Sequence, residues 1–530
     1  MNKPNILILY SDQHNARVMG CAGDKQAITP NLDRLADEGV RFSRAITQNP
    51  ICTPSRMCLM SGQYVHNFGY YGLMGPAPHN LPNLFAHFRQ AGYRTGMAGK
   101  THTPSGWLGP HCDDLADGYG FEQEYLPGLS HLLEGLQGLS LNEYATDLAQ
   151  AGLLQDRDDK ILQEWYEQKR GHASGQGLDA RPSRLPAHWS FEAWTARKVS
   201  GFIEKSQAAG QPFCYWMTLP RPHQTYAPAR EYWDLYQTDE LALPPNAEDP
   251  MLDRHPAARR LQKSFQTSQD WMIFEPKTFA AARRRVLHGY YANVTQMDAA
   301  IGEVLATLDT LKIRDNTIVV YLSDHGEFAG EHGMIEKAPG IGFRCVTQIP
   351  LIFSWPGQLP QGKTCDELAE SIDVFPTLCR LAGIGQPDWI DGQDLTATLH
   401  EGLPVHEVAV TEHALTKTIH TKRWKLTQYL PELCDGQDFG ELYDHEADPW
   451  ELHNLYFDPE HQTVVRDLQQ KLYAWLVRTT RPVTVHTKPA FADGEHENTW
   501  DDPGPLLARD GKASKEALTN LLQLSYLNYL

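Results

Sequence analysis

Two short apolar runs that lie far apart in the chain both end in a Ser-Asp pair. Residues 4–10 stop at Ser-Asp-Gln-His (11–14), and residues 316–322 stop at Ser-Asp-His-Gly (323–326). Such runs are typical of strands buried on both faces of a parallel sheet. Open α/β sheets place their ligands at the carboxyl ends of the strands, so neighbouring strands would bring these polar residues together. The residues that would meet are Asp12, Gln13, Asp324 and His325.

Three oxygen donors and one imidazole predict a divalent-cation site at that sheet edge. Each pair by itself has a common alternative interpretation, because an aspartate that follows a strand often only caps the next turn or helix. The occurrence of both pairs in one chain, together with a cysteine motif elsewhere, favours the divalent-cation site over the capping interpretation.

The remaining pattern predicts an α/β fold. Strand-like runs at 213–219 and 349–353 alternate with amphipathic stretches at 193–205 and 290–311. That alternation predicts a large mixed, mostly parallel sheet sandwiched by helices on both faces. Two stretches without clear periodicity, 113–186 and 244–277, are interpreted as insertions over the carboxyl edge of the sheet.

The character of the chain changes after Leu395. Segments 406–412, 418–430 and 441–443 resemble short antiparallel strands, and 459–479 resembles a helix. We therefore expect a catalytic domain over 1–395 and a smaller α+β subdomain with an antiparallel sheet over 396–485. A C-terminal tail over 486–530 is expected to lie against a second subunit or across the catalytic domain, because its last residues are rich in Leu and Tyr.

The pentapeptide Cys52-Thr53-Pro54-Ser55-Arg56 predicts an anion site at a helix start. Thr53 suits an N-cap and Pro54 the first helical position, which places Cys52 just before a helix over 54–60. A helix amino terminus carries partial positive charge and unpaired N–H groups, which favours an anionic ester there. Arg56 lies about one turn further on, where its fork would face the same ligand. A buried cysteine at a helix start is the alternative interpretation.

The chain resembles the type I sulfatases of the alkaline phosphatase superfamily from Asn5 to about Leu455. The resemblance rests on the Cys-x-Pro-x-Arg motif together with segments that match the family in order: 29–36, 39–42, 61–64, 92–102, 442–444 and 448–455. It implies that Cys52 is oxidised to formylglycine by a maturation enzyme. The hydrate of that aldehyde would offer one hydroxyl to attack an ester and a second to expel the product.

The same resemblance implies the other site residues. One divalent metal ion would be held by Asp12, Gln13, Asp324 and His325, with Ca²⁺ as the first expectation and Mn²⁺ or Zn²⁺ as alternatives. Lys100 would bridge the ester oxygens and residue 52. His102 would accept a proton from the diol, and both side chains are expected to share one face of a strand. His223 and Lys337 would contact the sulfate and the leaving oxygen.

The expected activity is hydrolysis of an aryl or carbohydrate sulfate ester to an alcohol and inorganic sulfate. Gln13 and His325 replace an aspartate and an asparagine found in many family members, and the same pairs occur in the family's phosphonate monoester and phosphodiester hydrolases. Hydrolysis of those esters is therefore the leading alternative. Two less favoured readings are a silent protein that binds sulfated glycans and a phosphatase-like relative with a plain hydroxyl nucleophile, which a cysteine at residue 52 disfavours.

Composition narrows the expected partners and location. The net charge of -19 argues against nucleic acid and anionic membranes, so a small anionic ester would need a local basic pocket. The start of the chain does not resemble a signal peptide, and no apolar stretch has membrane-spanning length. The nine cysteines are scattered, without the spacing of a disulfide scaffold. We therefore expect a cytoplasmic protein. The apolar C-terminal tail leads us to expect a homo-oligomer.

Overall fold

The computed structural model describes residues 3–73, 78, 80–104, 107–117, 143–153, 180–224, 226–267, 279–337, 340–414, 416–434 and 438–481. The strands are β1 (Asn5–Asp12), β2 (Gly39–Ile46), β3 (Arg94–Gly99), β4 (Asp114–Asp117), β5 (Phe213–Pro222), β6 (Thr317–Ser323), β7 (Gln348–Ser354), β8 (Lys363–Glu370), β9 (Ala409–His413), β10 (Thr416–His420), β11 (Trp424–Tyr429) and β12 (Gly440–Asp444). The α-helices are α1 (Pro30–Asp37), α2 (Cys52–Ser61), α3 (Val65–Phe68), α4 (Leu84–Gln90), α5 (Glu143–Gln150), α6 (Phe191–Ala208), α7 (Arg230–Trp233), α8 (Pro256–Thr267), α9 (Phe279–Thr310), α10 (Arg344–Thr347), α11 (Val374–Leu381), α12 (Thr396–Glu401) and α13 (Gln462–Thr479).

The first eight strands form one mixed sheet in the order β4-β3-β5-β1-β6-β7-β2-β8. Strand β7 runs antiparallel to β6 and β2, and the other described pairings of this sheet are parallel. The central pair is β1 and β6, in the register Ser11 opposite Ser323. The two Ser-Asp pairs therefore end neighbouring strands at the same edge.

The sheet is buried on both faces, because alternate residues of the central strands enter different cores. Leu7 and Leu9 of β1 pack on the face covered by α1, α6 and α9, whereas Ile6 and Ile8 pack on the face covered by α4 and α11. Side chains that alternate between two covered faces explain the continuous apolar runs. The predicted α/β fold with its mostly parallel sheet is confirmed.

The smaller sheet is an antiparallel meander in the order β12-β11-β10-β9. It joins the main sheet through β9, which lies beside the segment that follows β2. Thr411 Oγ1 donates to the Thr47 carbonyl (2.6 Å), and the Glu412 amide donates to the Gln48 carbonyl (2.8 Å). This contact sets β9 next to the chain that leads into α2.

Four local predictions differ from the structure. The stretch 113–186 contributes the edge strand β4, and the stretch 244–277 contains the helix α8. Residues 418–430 are not one strand, because a turn at 421–423 divides them between β10 and β11. Helix α9 begins eleven residues before the predicted 290–311. The tail 486–530 lies outside the described residues, and within them no helix is long and apolar enough to span a bilayer.

Candidate active site

The carboxyl ends of β1 and β6 form a buried carboxylate pair. The Asp324 Oδ1 atom accepts hydrogen bonds from the backbone amides of Gln13 and of its neighbour His325, each at 2.9 Å. Gln13 has φ 66°, a left-handed conformation that a non-glycine residue adopts only when its surroundings hold it. The Tyr290 hydroxyl, on α9, supplies that support by donating to the Gln13 carbonyl at 2.9 Å and accepting from the Asn15 amide at 2.9 Å.

The donor atoms at this edge lie close enough to share one cation. The Nε2 atom of His325 is 3.8 Å from Asp12 Oδ1 and 3.7 Å from Asp324 Oδ1. These atoms and the Cys52 thiol all lie within 4.8 Å of one another. Ligand atoms on one ion, each about 2.0–2.6 Å from it, are separated by at most about 4–5 Å. Two carboxylates and one imidazole in this arrangement fit a divalent cation.

His325 is oriented as a metal ligand would be. Its Nδ1 atom donates to the Gly326 carbonyl at 2.9 Å, which leaves the Nε2 lone pair directed at Asp12, Asp324 and Cys52. Burial lowers the pKa of His325 to about 4, so the ring is neutral near pH 7. A neutral imidazole whose second nitrogen is hydrogen-bonded is the form that coordinates metals.

The side-chain amide of Gln13, at the same sheet edge, contacts two different groups. Its side-chain oxygen accepts from Lys337 Nζ at 2.8 Å, and its amide nitrogen donates to the buried Glu327 carboxyl. Burial raises the pKa of Glu327 to about 8, and the nearby Glu336 charge adds to the rise. The side-chain oxygen of Gln13 is thus directed at the basic residue Lys337, and its nitrogen at the acidic residue Glu327.

Cys52 lies inside this cluster of ligand atoms. Its Sγ atom is 3.1 Å from His325 Nε2 and 3.7 Å from Asp12 Oδ1. Burial raises the pKa of the thiol to about 12, and the negative charge of Asp12 adds to the rise. In the absence of a cation the unmodified thiol therefore stays protonated at neutral pH and is a poor nucleophile.

The helix of Cys52 begins earlier than the sequence predicted. Cys52 is the first residue of α2 and Ile51 is the N-cap, so Thr53 is not the cap and the expected start at Pro54 is wrong. The Ser55 amide closes the first turn on the Ile51 carbonyl at 3.1 Å, and the Ile51 amide donates to Asn49 Oδ1 at 2.9 Å. Residue 52 still lies at the amino terminus of the helix, where the dipole favours an anion.

The guanidinium of Arg56, predicted to face a ligand, is directed at groups of the protein. Its buried guanidinium donates to Asp324 at 3.0 and 3.1 Å and to Asp12 at 3.1 Å. The remaining donors reach the Lys100 carbonyl at 2.7 Å and Thr218 Oγ1 at 2.6 Å. Arginine has five N–H donors, and all five are used within the protein. Arg56 therefore holds the two carboxylates in place.

Lys100 and His102 lie just beyond β3, so the prediction that they share a strand face is wrong. The strand ends at Gly99, where φ is 107° and a Cβ would lie 1.9 Å from the Thr218 carbonyl oxygen. Only glycine allows the close approach that lets the Lys100 amide donate to that carbonyl at 2.8 Å. Lys100 Nζ then contacts the Asp12 carboxylate, and His102 is buried two residues further on.

Charged neighbours keep Asp12 ionised. Burial by itself would raise its pKa, but the positive charges of Lys100 and Arg56 hold the pKa well below its usual value. A carboxylate that stays charged while fully buried is suited to bind a cation, because it needs no deprotonation first.

His223 and Lys337 form the remaining wall of the site. Lys337 Nζ lies 3.1 Å from His223 Nε2, and His223 Nδ1 lies 2.8 Å from the Gln224 carbonyl. Desolvation and the Lys337 charge hold the pKa of His223 well below its usual value. A neutral His223 therefore donates through Nδ1 to Gln224 and accepts from Lys337 through Nε2.

Sequence reasoning missed several residues that support the site. Thr218 was a detectable signal, since it is a polar residue inside the apolar run 213–219 that predicted β5. Tyr290 and Glu327 gave no comparable signal, because each acts on Gln13 from a distant part of the chain.

Comparisons with known proteins give consistent matches over most of the chain. The sulfatase family model matches residues 4–384, and the C-terminal model of N-sulphoglucosamine sulphohydrolase matches 330–477. The chain is 28% identical to the choline-sulfatase of Rhizobium meliloti over 466 residues, covering 86% of this chain and 83% of that protein. It is 28% identical to the arylsulfatase of Clostridium perfringens over 495 residues, covering 89% and 94%. The solved phosphonate monoester hydrolase of Silicibacter pomeroyi shares the fold with a TM-score of 0.73 at 21% identity, covering 90% of this chain and 96% of that one.

Proposed function

The chain belongs to the sulfatase family, and from that premise we propose that it hydrolyses a sulfate ester to an alcohol and inorganic sulfate at the carboxyl edge of its main sheet. The observation that carries the proposal is the position of Cys52. Its Sγ atom lies at the start of α2, within 3.1 Å of His325 and 3.7 Å of Asp12. A nucleophile formed at residue 52 would therefore act beside a bound cation.

The pocket has the charge that an anionic ester requires. Two buried carboxylates, Asp12 and Asp324, stand against three buried cations, Arg56, Lys100 and Lys337. Adding a divalent cation makes the site strongly positive although the whole chain carries a net charge of -19. Local positive charge in a desolvated site stabilises the charge that develops on transferring oxygens.

Residue 52 as formylglycine would supply a geminal diol here, and a divalent cation held by Asp12, Gln13, Asp324 and His325 would polarise the ester oxygens. Lys100, whose ammonium contacts the Asp12 carboxylate, is proposed to orient the ester. Arg56 contributes indirectly by fixing the two carboxylates.

Lys337 is proposed to give a proton to the leaving alcohol. Burial alone would lower its pKa, but the acidic groups around it, including Asp12, raise the pKa above its usual value. The neutral His223 accepts from Lys337 and is thus able to relay the proton. A positioned acid contributes about 10²–10⁴ in rate. His102, buried beyond Lys100, is proposed to accept the proton that leaves residue 52.

A second candidate reaction is hydrolysis of a phosphonate monoester or phosphate diester at the same residues. The supporting observation is Gln13, whose amide stands where a third carboxylate would add negative charge. A donor set with one charge fewer is less selective for Ca²⁺ and more open to Mn²⁺ or Zn²⁺.

A rate comparison distinguishes the two reactions. The protein, produced together with a formylglycine-generating enzyme and loaded with one cation, is assayed with an aryl sulfate, sugar sulfates, an aryl phosphate diester and phenylphosphonate esters. We expect the highest kcat/KM on a sulfate ester, with Cys52→Ala inactive on every substrate. The matched control is Cys58→Ala, which removes another buried cysteine of α2 and should retain turnover. Higher kcat/KM on the phosphorus esters would refute the sulfatase assignment and favour the second reaction.

A further inference from the structure

His413 is a buried histidine whose ring is not bonded to any other described residue. It is the last residue of β9 and is 3% exposed. Neither Nδ1 nor Nε2 has a hydrogen-bond partner among the residues that the structure describes. Buried polar groups are nearly always paired, so an unpaired one in a native protein calls for an explanation such as a ligand.

Two segments that carry reactive residues flank His413. On one side, Asn49 Nδ2 donates to the carbonyl of the preceding residue, Glu412, at 2.8 Å. On the other side, a Cβ on Gly340 would lie 3.1 Å from His413 Nδ1, so the ring rests against that backbone. Cys52 is three residues after Asn49, and Lys337 is three residues before Gly340. Three residues span at most about 11 Å, so Asn49 and Gly340, which contact Glu412 and His413, each lie within that distance of a reactive residue along the chain.

His413 is about as buried as the reactive residues themselves. Cys52 is 0% exposed and Lys100 is 1% exposed, so the whole site lies below the surface. Burial lowers the pKa of His413 to about 4, and the Lys417 charge adds to the fall. A neutral imidazole has one donor and one acceptor nitrogen, and a hydroxyl group can satisfy either of them.

We propose that His413 is a specificity-determining residue whose imidazole hydrogen-bonds a hydroxyl group of the leaving alcohol, and hence that the substrate is a carbohydrate sulfate. The proposal rests on the proposed sulfatase function and names the alcohol that the same site accepts. An aryl sulfate leaves the ring unpaired, because its leaving group has no hydroxyl beside the ester. Sites that bond a substrate hydroxyl discriminate strongly against analogues that lack it.

The test compares two substrate classes in four proteins. Wild type, His413→Phe, His413→Gln and His420→Phe are assayed with nitrophenyl sulfate and with a panel of hexose and N-acetylhexosamine monosulfates. His420 is the matched control, because it is equally buried in the same sheet but pairs with Ala409 at the opposite end of β9. Nitrophenyl sulfate turnover also reports whether each variant is folded.

We expect His413→Phe to lose about 10- to 100-fold in kcat/KM on the sugar sulfate that wild type prefers, the size of one hydrogen bond from a buried group. Its loss on nitrophenyl sulfate should stay below about 3-fold. His413→Gln, which keeps a donor and an acceptor, should recover part of the sugar activity, and His420→Phe should keep the wild-type ratio between the two classes.

Three results would overturn the inference: an equal loss on both classes, no loss on either, or a wild type that hydrolyses nitrophenyl sulfate but no sugar in the panel. These results leave the proposed function intact. A wild type that cleaves no sulfate ester but does cleave phosphorus esters instead refutes the proposed function.

Discussion

Arg56→Lys separates the positioning role of Arg56 from a role in binding substrate. The change keeps the positive charge but replaces five N–H donors in a planar fork with three on a point charge. In the structure the five donors reach Asp12, Asp324, the Lys100 carbonyl and Thr218. At least two hydrogen bonds are therefore lost in a fully buried site.

The expected loss of stability follows from these contacts. Each buried hydrogen bond to a charged group contributes about 1.5 kcal/mol or more, so two lost bonds lower the free energy of unfolding by about 3 kcal/mol. The estimate agrees with the cost of about 3–5 kcal/mol for breaking a buried ion pair. The carboxylates also lose their fixed orientation, so we expect affinity for the cation to fall about 10- to 100-fold.

Urea unfolding followed by tryptophan fluorescence measures the stability, and calorimetric titration with Ca²⁺ and Mn²⁺ measures the affinity. Arg254→Lys is the matched control. Arg254 is equally buried, but it bonds Asp249, Asp253 and the Glu451 carbonyl, away from the ligand cluster. This control should lose stability without losing cation affinity. The reasoning is refuted if Arg56→Lys keeps its stability within about 1 kcal/mol and its cation affinity while KM for the ester rises.

Two further predictions concern contacts of the C-terminal region. Glu451 accepts hydrogen bonds from Lys425 Nζ (2.6 Å), His445 Nε2 (2.8 Å) and the Arg344 backbone amide (2.9 Å). Glu451→Gln leaves the fully buried Lys425 without its counter-ion, so it should lower the free energy of unfolding in urea by about 3–5 kcal/mol. Glu451→Gln/Lys425→Met should recover part of that loss, and equal stability of the single variant and wild type would contradict the assignment. For His406, burial alone would lower the pKa, but Asp373 raises it to about 9. The contribution of charged His406 to the free energy of unfolding is therefore fully present below pH 6.5 and is lost as the pH rises through 9. The stability difference between wild type and His406→Gln should shrink over that range by at most about 3 kcal/mol. A difference that widens would show the sign to be wrong.

The positions of the main strands and the meeting of Asp12 with Asp324 were predictable from the sequence. Apolar runs that alternate between two faces, with polar residues at their ends, specify both the strand and the edge that it leaves. The smaller sheet was only partly predictable. The turn at 421–423 contains no Gly, Pro or Asn to mark it, so β10 and β11 resembled one strand.

The orientation of individual side chains could not be predicted, because distant partners decide it. Arg56 is directed at groups of the protein because its acceptors lie 44 residues earlier, at Asp12, and 268 residues later, at Asp324. Lys100 leaves the strand because Gly99 turns there against Thr218, which lies on another strand. His413 carried no motif at all, and only the docking of β9 beside Asn49 sets it next to the segment that leads into Cys52.

The chemical state of residue 52 tests the central claim most directly. Trypsin releases residue 52 in the peptide 45–56, whose mass distinguishes an aldehyde or its hydrate from a thiol. Preparations with graded amounts of maturation enzyme are analysed for the aldehyde fraction and for turnover of a sulfate ester. We predict that turnover rises in proportion to the aldehyde fraction and vanishes when the peptide contains only cysteine. Full turnover by protein whose residue 52 is entirely cysteine would contradict the account.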